Sequence, residues 1–243
     1  MSIGSMRIGI VNPNTTRSMT EAVIRSASKS ARPETQLVAL TPARGVPSIE
    51  SHVDEVWGAL SVLREVERCE ALEQPPDAYV IACFGDTGVP AAREAASGPV
   101  VGMTESALMT AALLAHRFTI VTMPPRTMAQ SDAVIRSLGL GFRCAVRSVD
   151  VPVAEVEYGS IHLFDAFAAE GRLALADHAE ALVLGCAGLA DLVEPLQDAL
   201  GVPVIEGVAA GVAIAEGLVA QRLSTSRTNT WARAKSPESD ESS

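Results

Sequence analysis

No apolar run in this 243-residue chain approaches the roughly 20 residues a membrane-spanning helix needs; the longest stretches, such as Ala78 to Phe84, are far too short. A membrane partner is therefore not expected. Basic residues are outnumbered, 19 Lys and Arg against 29 Asp and Glu, and the net charge of −10 argues against nucleic acid, whose phosphates such a surface repels. It does not reject an anionic small molecule, because helix N-termini and backbone amides can make a cleft locally positive. Only four cysteines occur, without the dense spacing of a disulfide framework and without Cys-x-x-Cys. The opening Met1-Ser-Ile-Gly-Ser-Met6-Arg7 lacks the basic region, apolar region and cleavage site of a signal peptide. Reduced thiols and a cytoplasmic location are the expectation.

Further absences narrow the chemistry. Neither Gly-x-Gly-x-x-Gly nor Gly-x-x-x-x-Gly-Lys-Ser/Thr is present, so nothing suggests a nucleotide-phosphate cradle. His52, His116, His162 and His178 are scattered without metal-ligand spacing, which speaks against a zinc site. A Ser-His-Asp hydrolase is not indicated either, for want of a Gly-x-Ser-x-Gly elbow. The triplet Asp86-Thr87-Gly88 occurs in aspartic proteases, but those need two carboxylates in an all-β framework, and here a single copy follows a parallel-strand pattern. Asp86 reads as a helix cap, and Gly85 as a place where backbone approaches a ligand.

What the chain does contain is alternation. Strand-like runs at Arg7 to Asn12, Gln36 to Leu40, Ala78 to Cys83, Pro99 to Met103, Phe118 to Met123, Cys144 to Val149, Ala181 to Cys186 and Pro203 to Glu206 are separated by helical patterns, among them Asp54 to Leu72 and Ile161 to Glu180. Such alternation predicts parallel sheets covered on both faces. The eight runs divide into four and four. Arg117-Phe-Thr-Ile-Val-Thr-Met-Pro124 echoes Arg7-Ile-Gly-Ile-Val-Asn-Pro-Asn14, each an apolar strand running into a polar residue and proline. The expected fold is α/β, two pseudo-symmetric domains, each a four-stranded parallel sheet flanked by helices. Residues 6–103 form the first, 104–208 the second, and the helix 209–223 packs back on the first. The tail 224–243, rich in Ser, Thr, Arg and Pro, has too few apolar groups to pack and is expected to be disordered.

The repeat carries a thiol in each copy. Cys83 closes Ala78-Tyr-Val-Ile-Ala-Cys83 and Cys186 closes Ala181-Leu-Val-Leu-Gly-Cys186; a proline opens the next strand at position 99 in one case (99 − 83 = 16) and at 203 in the other (203 − 186 = 17). An arbitrary cysteine reads as a small buried apolar residue, and Cys69 and Cys144 receive that reading. Cys83 and Cys186 do not, because both fall at the carboxyl end of a strand, where parallel sheets present ligands. Both also precede turns into helices whose N-terminal amides are expected to lower a thiol pKa. Two thiols on opposite sides of one cleft suit the transfer of a proton from one face of a carbon to the other. Asn12-Pro13-Asn14-Thr15-Thr16, after the first strand, reads as a turn with a threonine capping the next helix, whose Asn side chains can also bind a carbonyl, amide or carboxylate.

Val11-Asn-Pro-Asn-Thr15, Gly45-Val-Pro-Ser-Ile-Glu50, Ile81-Ala-Cys-Phe-Gly-Asp86, Leu184-Gly-Cys-Ala-Gly188 with Ala190-Asp191, and Pro203-Val-Ile-Glu-Gly-Val208 resemble the aspartate/glutamate racemase superfamily, and within it the hydantoin/allantoin racemase branch. The resemblance covers Arg7 to about Leu223. Amino-acid racemases of the superfamily follow each cysteine with Asn-Thr or Thr-His; here Phe84-Gly85 and Ala187-Gly188 stand instead. That departure favours a neutral cyclic ureide over a free amino acid. The resemblance implies an active site between two similar α/β domains, no cofactor and no metal, with Cys83 and Cys186 as the acid–base pair. Backbone amides at Phe84, Gly85, Ala187 and Gly188, with Asn14, Thr15 and Thr122, are the expected holders of ring carbonyls and the developing oxyanion. The expected partners are a small-molecule substrate and further copies of the chain. Another enzyme of the superfamily (amino-acid racemase, isomerase or decarboxylase) and a non-catalytic small-molecule-binding protein are the alternatives. Phe84 and Val46 are candidates for the pocket that takes the ring substituent, whose identity, ureido, alkyl or aryl, the sequence leaves open.

Overall fold

Two runs without a polar break decide the architecture: Ala78-Tyr-Val-Ile and Ala181-Leu-Val-Leu-Gly have every residue buried, which requires cover on both faces of the strand. A computed structural model describes residues 5–158 and 160–234. In chain order β1 is Met6–Val11, α1 Arg17–Ser30, β2 Thr35–Leu40, α2 His52–Glu70, β3 Ala78–Ile81, α3 Val89–Ala95, β4 Val100–Gly102 and α4 Met103–Leu114. The second half repeats the series as β5 Phe118–Thr122, α5 Met128–Ser137, β6 Cys144–Ser148, α6 Phe164–Ala176, β7 Ala181–Gly185, α7 Val193–Leu200, β8 Val204–Glu206 and α8 Gly207–Ala220. Each sheet is parallel, in the orders β2-β1-β3-β4 and β6-β5-β7-β8. The two halves have the same topology.

The closing helices are exchanged. Val208, Val212 and Ala215 of α8 sit in one core cluster with Ile8, Ile10 and Val80 of the first sheet. Reciprocally, Ala107, Leu108 and Ala111 of α4 pack among Phe118, Ile120 and Val183 of the second. Each half is thus sealed by the helix that follows the other half's last strand, and α4 and α8 pack on each other.

Local chemistry moves some boundaries. α2 starts before Asp54 because the Ser51 hydroxyl accepts the Asp54 amide as an N-cap. The helical pattern expected over Ile161 to Glu180 resolves into a 3-10 turn, Ile161–Leu163, followed by α6, and the helix ends before His178, whose φ of 69° is left-handed.

The segment after Leu223, expected to be disordered, docks over its described part, whereas 235–243 lie outside the described residues. Polar and cation–π contacts hold it in place of an apolar pattern. Ser224 donates to the Ser97 carbonyl, Arg227 donates to the carbonyls of Arg93 and Glu94 at the end of α3, and the Arg93 guanidinium lies 5.5 Å from the Trp231 ring centroid. A cation–π pair that keeps part of its surface in water contributes about 0.5–1 kcal/mol. Trp231→Ala is therefore expected to lower the unfolding free energy by that amount in urea titration, with turnover unchanged; an unaltered midpoint would show that the ring contributes nothing.

Candidate active site

In a sheet ordered β2-β1-β3-β4 the chain reverses direction between β1 and β3, and the crevice beyond their carboxyl ends is where open α/β sheets take ligands. The second sheet has the same switch point between β5 and β7. One cleft, with about 590 Å³ of empty space, is lined from both switch points: Asn12, Asn14, Cys83 and Phe84 from one, Thr122, Cys186, Ala187 and Gly188 from the other.

The electrostatics of the two thiols run against the expectation from their place before helix N-termini. The expectation of lowered pKa values is overturned. Burial pushes the Cys83 thiol up to about 12, against a hydrogen bond with Thr87 Oγ1 at 3.5 Å, and Asp86, Cys186 and Glu55 raise it further. Cys186 is pushed up to about 11 by burial, opposed by the backbone amide of Gly188 and reinforced by Glu206 and Glu50. The charged side chains that bear on the two thiols are acidic, and desolvation outweighs the helix N-termini. Cys69, in the apolar core with Val66 and Tyr79, is likewise pushed up by burial, and Cys144 opens β6; neither lines the cleft.

Of the other expected residues, Asn14, Phe84, Thr122, Ala187 and Gly188 line the cleft, and Thr15 and Gly85 do not. Thr15 turns away, its amide and hydroxyl both donating to the Val46 carbonyl. Val46 serves this contact, and Ile49 of the same loop reaches the cleft instead. The Gly85 amide is taken up by Thr104 Oγ1 at 2.8 Å. Thr122 Oγ1 is engaged by Thr127 Oγ1 at 3.0 Å and the Gly185 carbonyl at 3.2 Å. Gly185 admits this approach: a Cβ there would lie 2.6 Å from Thr122 Cβ. Asn12 Nδ2 donates to Asn14 Oδ1 and Thr20 Oγ1, and Asn14 Oδ1 also accepts the Thr16 amide, which leaves the Asn14 Nδ2 group against Met19 Sδ and the cleft.

Sequence reasoning missed Met19, Ile49, Gln130, Val153 and Val156. Met19 and Gln130 are the third residues of α1 and α5, so the internal repeat held a signal for them. Val153 and Val156 come from a 3-10 segment with no counterpart in the first half, and no pattern announced them. Among the described residues, no group of three or more His, Cys, Asp or Glu converges as metal ligands do, and no helix is long and apolar enough to cross a membrane.

A duplicated parallel α/β framework with paired switch points opening on one shared cleft defines a class of two-lobed small-molecule enzymes. The chain belongs to the Asp/Glu/Hydantoin racemase family, whose sequence model matches residues 8–215. It is 41% identical over 238 residues to the hydantoin racemase of Pseudomonas sp. (strain NS671), covering 97% of this chain and 94% of the relative. Among solved structures it is similar to the allantoin racemase from Klebsiella pneumoniae, with a TM-score of 0.92 and 42% identity over 96% of this chain and 95% of that one. The allantoin racemase from Pseudomonas fluorescens superposes with a TM-score of 0.90 at 38% identity, covering 96% and 99%.

Proposed function

We propose that the protein racemises 5-substituted hydantoins or allantoin without a cofactor, by proton transfer between two cysteines. The observation that carries this reading is that Cys83 and Cys186, one from each sheet, line the same cleft. Carbon 5 of the ring is flanked by a carbonyl and a nitrogen, and its hydrogen is acidic once the resulting enolate is held. One thiolate removes that hydrogen from one face; the amides of Phe84 and Ala187, with Asn14, hold the carbonyl oxygens; the opposite thiol delivers a proton to the other face. The first cysteine ends protonated and the second ionised, and exchange of their protons with solvent restores the starting form for another turnover in the same direction.

Substrate charge follows from the surroundings of the thiols. Asp86, Glu55, Glu206 and Glu50 bear on them, and this acidic setting disfavours the carboxylate of a free amino acid while accepting a neutral cyclic ureide. The same reading makes 6–103 and 104–208 the two working domains, with 209–223 on the first, and places the protein in the cytoplasm, where thiols stay reduced. Self-association belongs to it as well, supported by Val53, Val56, Trp57 and Leu60, four exposed apolar side chains along one face of α2.

Polarimetry of enantiopure allantoin, 5-alkyl and 5-arylmethyl hydantoins, aspartate and glutamate, with and without chelator, tests the reading. Rotation is expected to decay for at least one cyclic ureide, to persist for both amino acids, and to be indifferent to chelation. Decay confined to an amino acid, or activity abolished by chelator and restored by zinc or manganese, would contradict it.

A further inference from the structure

Each half holds one carboxylate on the same pair of helix amides. In the second half Glu206, 5% exposed at the end of β8, accepts the amides of Val208 and Ala209, the second and third residues of α8. The first half has Gly102 at the equivalent N-cap, which has no side chain to offer. There Asp86, from the loop after Cys83, reaches across and accepts the amides of Thr104 and Glu105, the second and third residues of α4, at 2.8 and 2.9 Å. The same two amides of the two exchanged helices are held by a carboxylate from different places in the chain. Gly102 has ordinary extended dihedrals, φ −86° and ψ 147°, so its small size is not a backbone requirement. It is a matter of room: a Cβ at Gly102 would lie 2.3 Å from the Asp86 carboxyl carbon.

Both carboxylates connect to the cysteine loops, Asp86 as part of one and Glu206 by way of α1. Thr104 returns the contact by accepting the Gly85 amide, which clamps the loop of Cys83 onto α4. Glu206 is bonded by Ser26 of α1, and α1 packs on the turn Ala187–Leu192 that follows Cys186. Resting on the two-thiol reading, we propose that Asp86 and Glu206 are a matched pair of positioning residues, each fixing the loop of the cysteine in its own half and setting that cysteine's acid strength through its negative charge. Asp86 faces Glu105, which is paired with Arg93, and burial together with Glu105 raises it to about 7, so it is charged above neutrality. Glu206 faces Ser26 and Lys29 and is raised by burial. Cys83 faces Asp86, Cys186 and Glu55; Cys186 faces Glu206 and Glu50.

The test is residue-resolved alkylation by iodoacetamide as a function of pH, read by peptide mass in the full chain. Only the thiolate reacts, so the rising limb reports each thiol separately and does not depend on turnover. Removing a neighbouring negative charge lowers a thiol pKa. Asp86→Asn is therefore expected to move the limb of Cys83 down by about one pH unit and leave that of Cys186 in place, with Glu206→Gln doing the reverse. Should Asp86→Asn fold poorly, D86G/G102E rebuilds in the first half the arrangement of the second, and D86G/G102Q is its neutral counterpart. The first is expected to retain the Cys83 limb and the second to lower it. Limbs that move together, or none that move, would overturn the proposal. Loss of the two-thiol reading itself would show separately, as racemisation that survives cysteine replacement.

Discussion

Replacing either Cys83 or Cys186 by serine is expected to reduce racemisation in both directions by at least about a hundredfold, the lower end of what a positioned acid or base contributes. Each direction needs both groups, one to remove the C5 hydrogen and the other to return a proton. Serine supplies neither role well, because its hydroxyl is a far weaker acid than a thiol and its alkoxide is scarce even in alkaline solution. The size of the effect does not require an activated resting thiolate. Burial raises both thiols, to about 12 and about 11, so the reactive form is a minority near neutrality and wild-type kcat is expected to rise with pH above 7. Cys69→Ser and Cys144→Ser should leave the rate nearly unchanged, since neither thiol lines the cleft. Near-wild-type rotation decay in Cys83→Ser or Cys186→Ser would remove the two-thiol mechanism.

The largest expected effect on stability lies away from the cleft. Phe167 of α6 is fully buried and packs in the cluster that contains Leu182, Leu184, Leu192 and Leu196. Phe167→Ala removes a ring from a site enclosed by β7, α7 and the turn before α7, where collapse is limited. A loss of about 3–5 kcal/mol follows, or roughly 10 °C in melting temperature for a chain of this size. Calorimetry checks it. Turnover at 25 °C should be retained, which separates loss of packing from loss of chemistry; a shift under 2 °C would mean that the cavity is refilled.

The parts of the fold legible in the sequence were those fixed by strands buried on both faces. Ala78 to Ile81 and Ala181 to Gly185 announce themselves because nothing polar interrupts them, and the proline-led strands that follow reveal the repeat. Cys83 and Cys186 were legible for the same reason, as the residues at which those runs stop. The division at 103/104 already assigned α4 to the second half, where Ala107, Leu108 and Ala111 meet Phe118, Ile120 and Val183; what stayed hidden was the segment Val153–Tyr158, which has no counterpart in the first half. Roles that depend on distant partners were also hidden. Gly85 lost its place among the available amide donors to a hydroxyl 19 residues away, on Thr104. Asp86 caps a helix as its type suggests, but the helix is α4 and not the adjacent α3. The direction of the thiol pKa shifts depends on enclosure and on Glu206, Glu50 and Glu55, which no local motif brings near.

Solvent deuterium incorporation at C5 by the two single-cysteine variants tests the central claim most directly. With one thiol left on one face of the ring, each variant can still remove and replace the hydrogen of one enantiomer without inverting it. The account predicts that Cys83→Ser and Cys186→Ser exchange opposite enantiomers, each without racemisation. Exchange of the same enantiomer by both variants would place the two thiols on one face, and would contradict it.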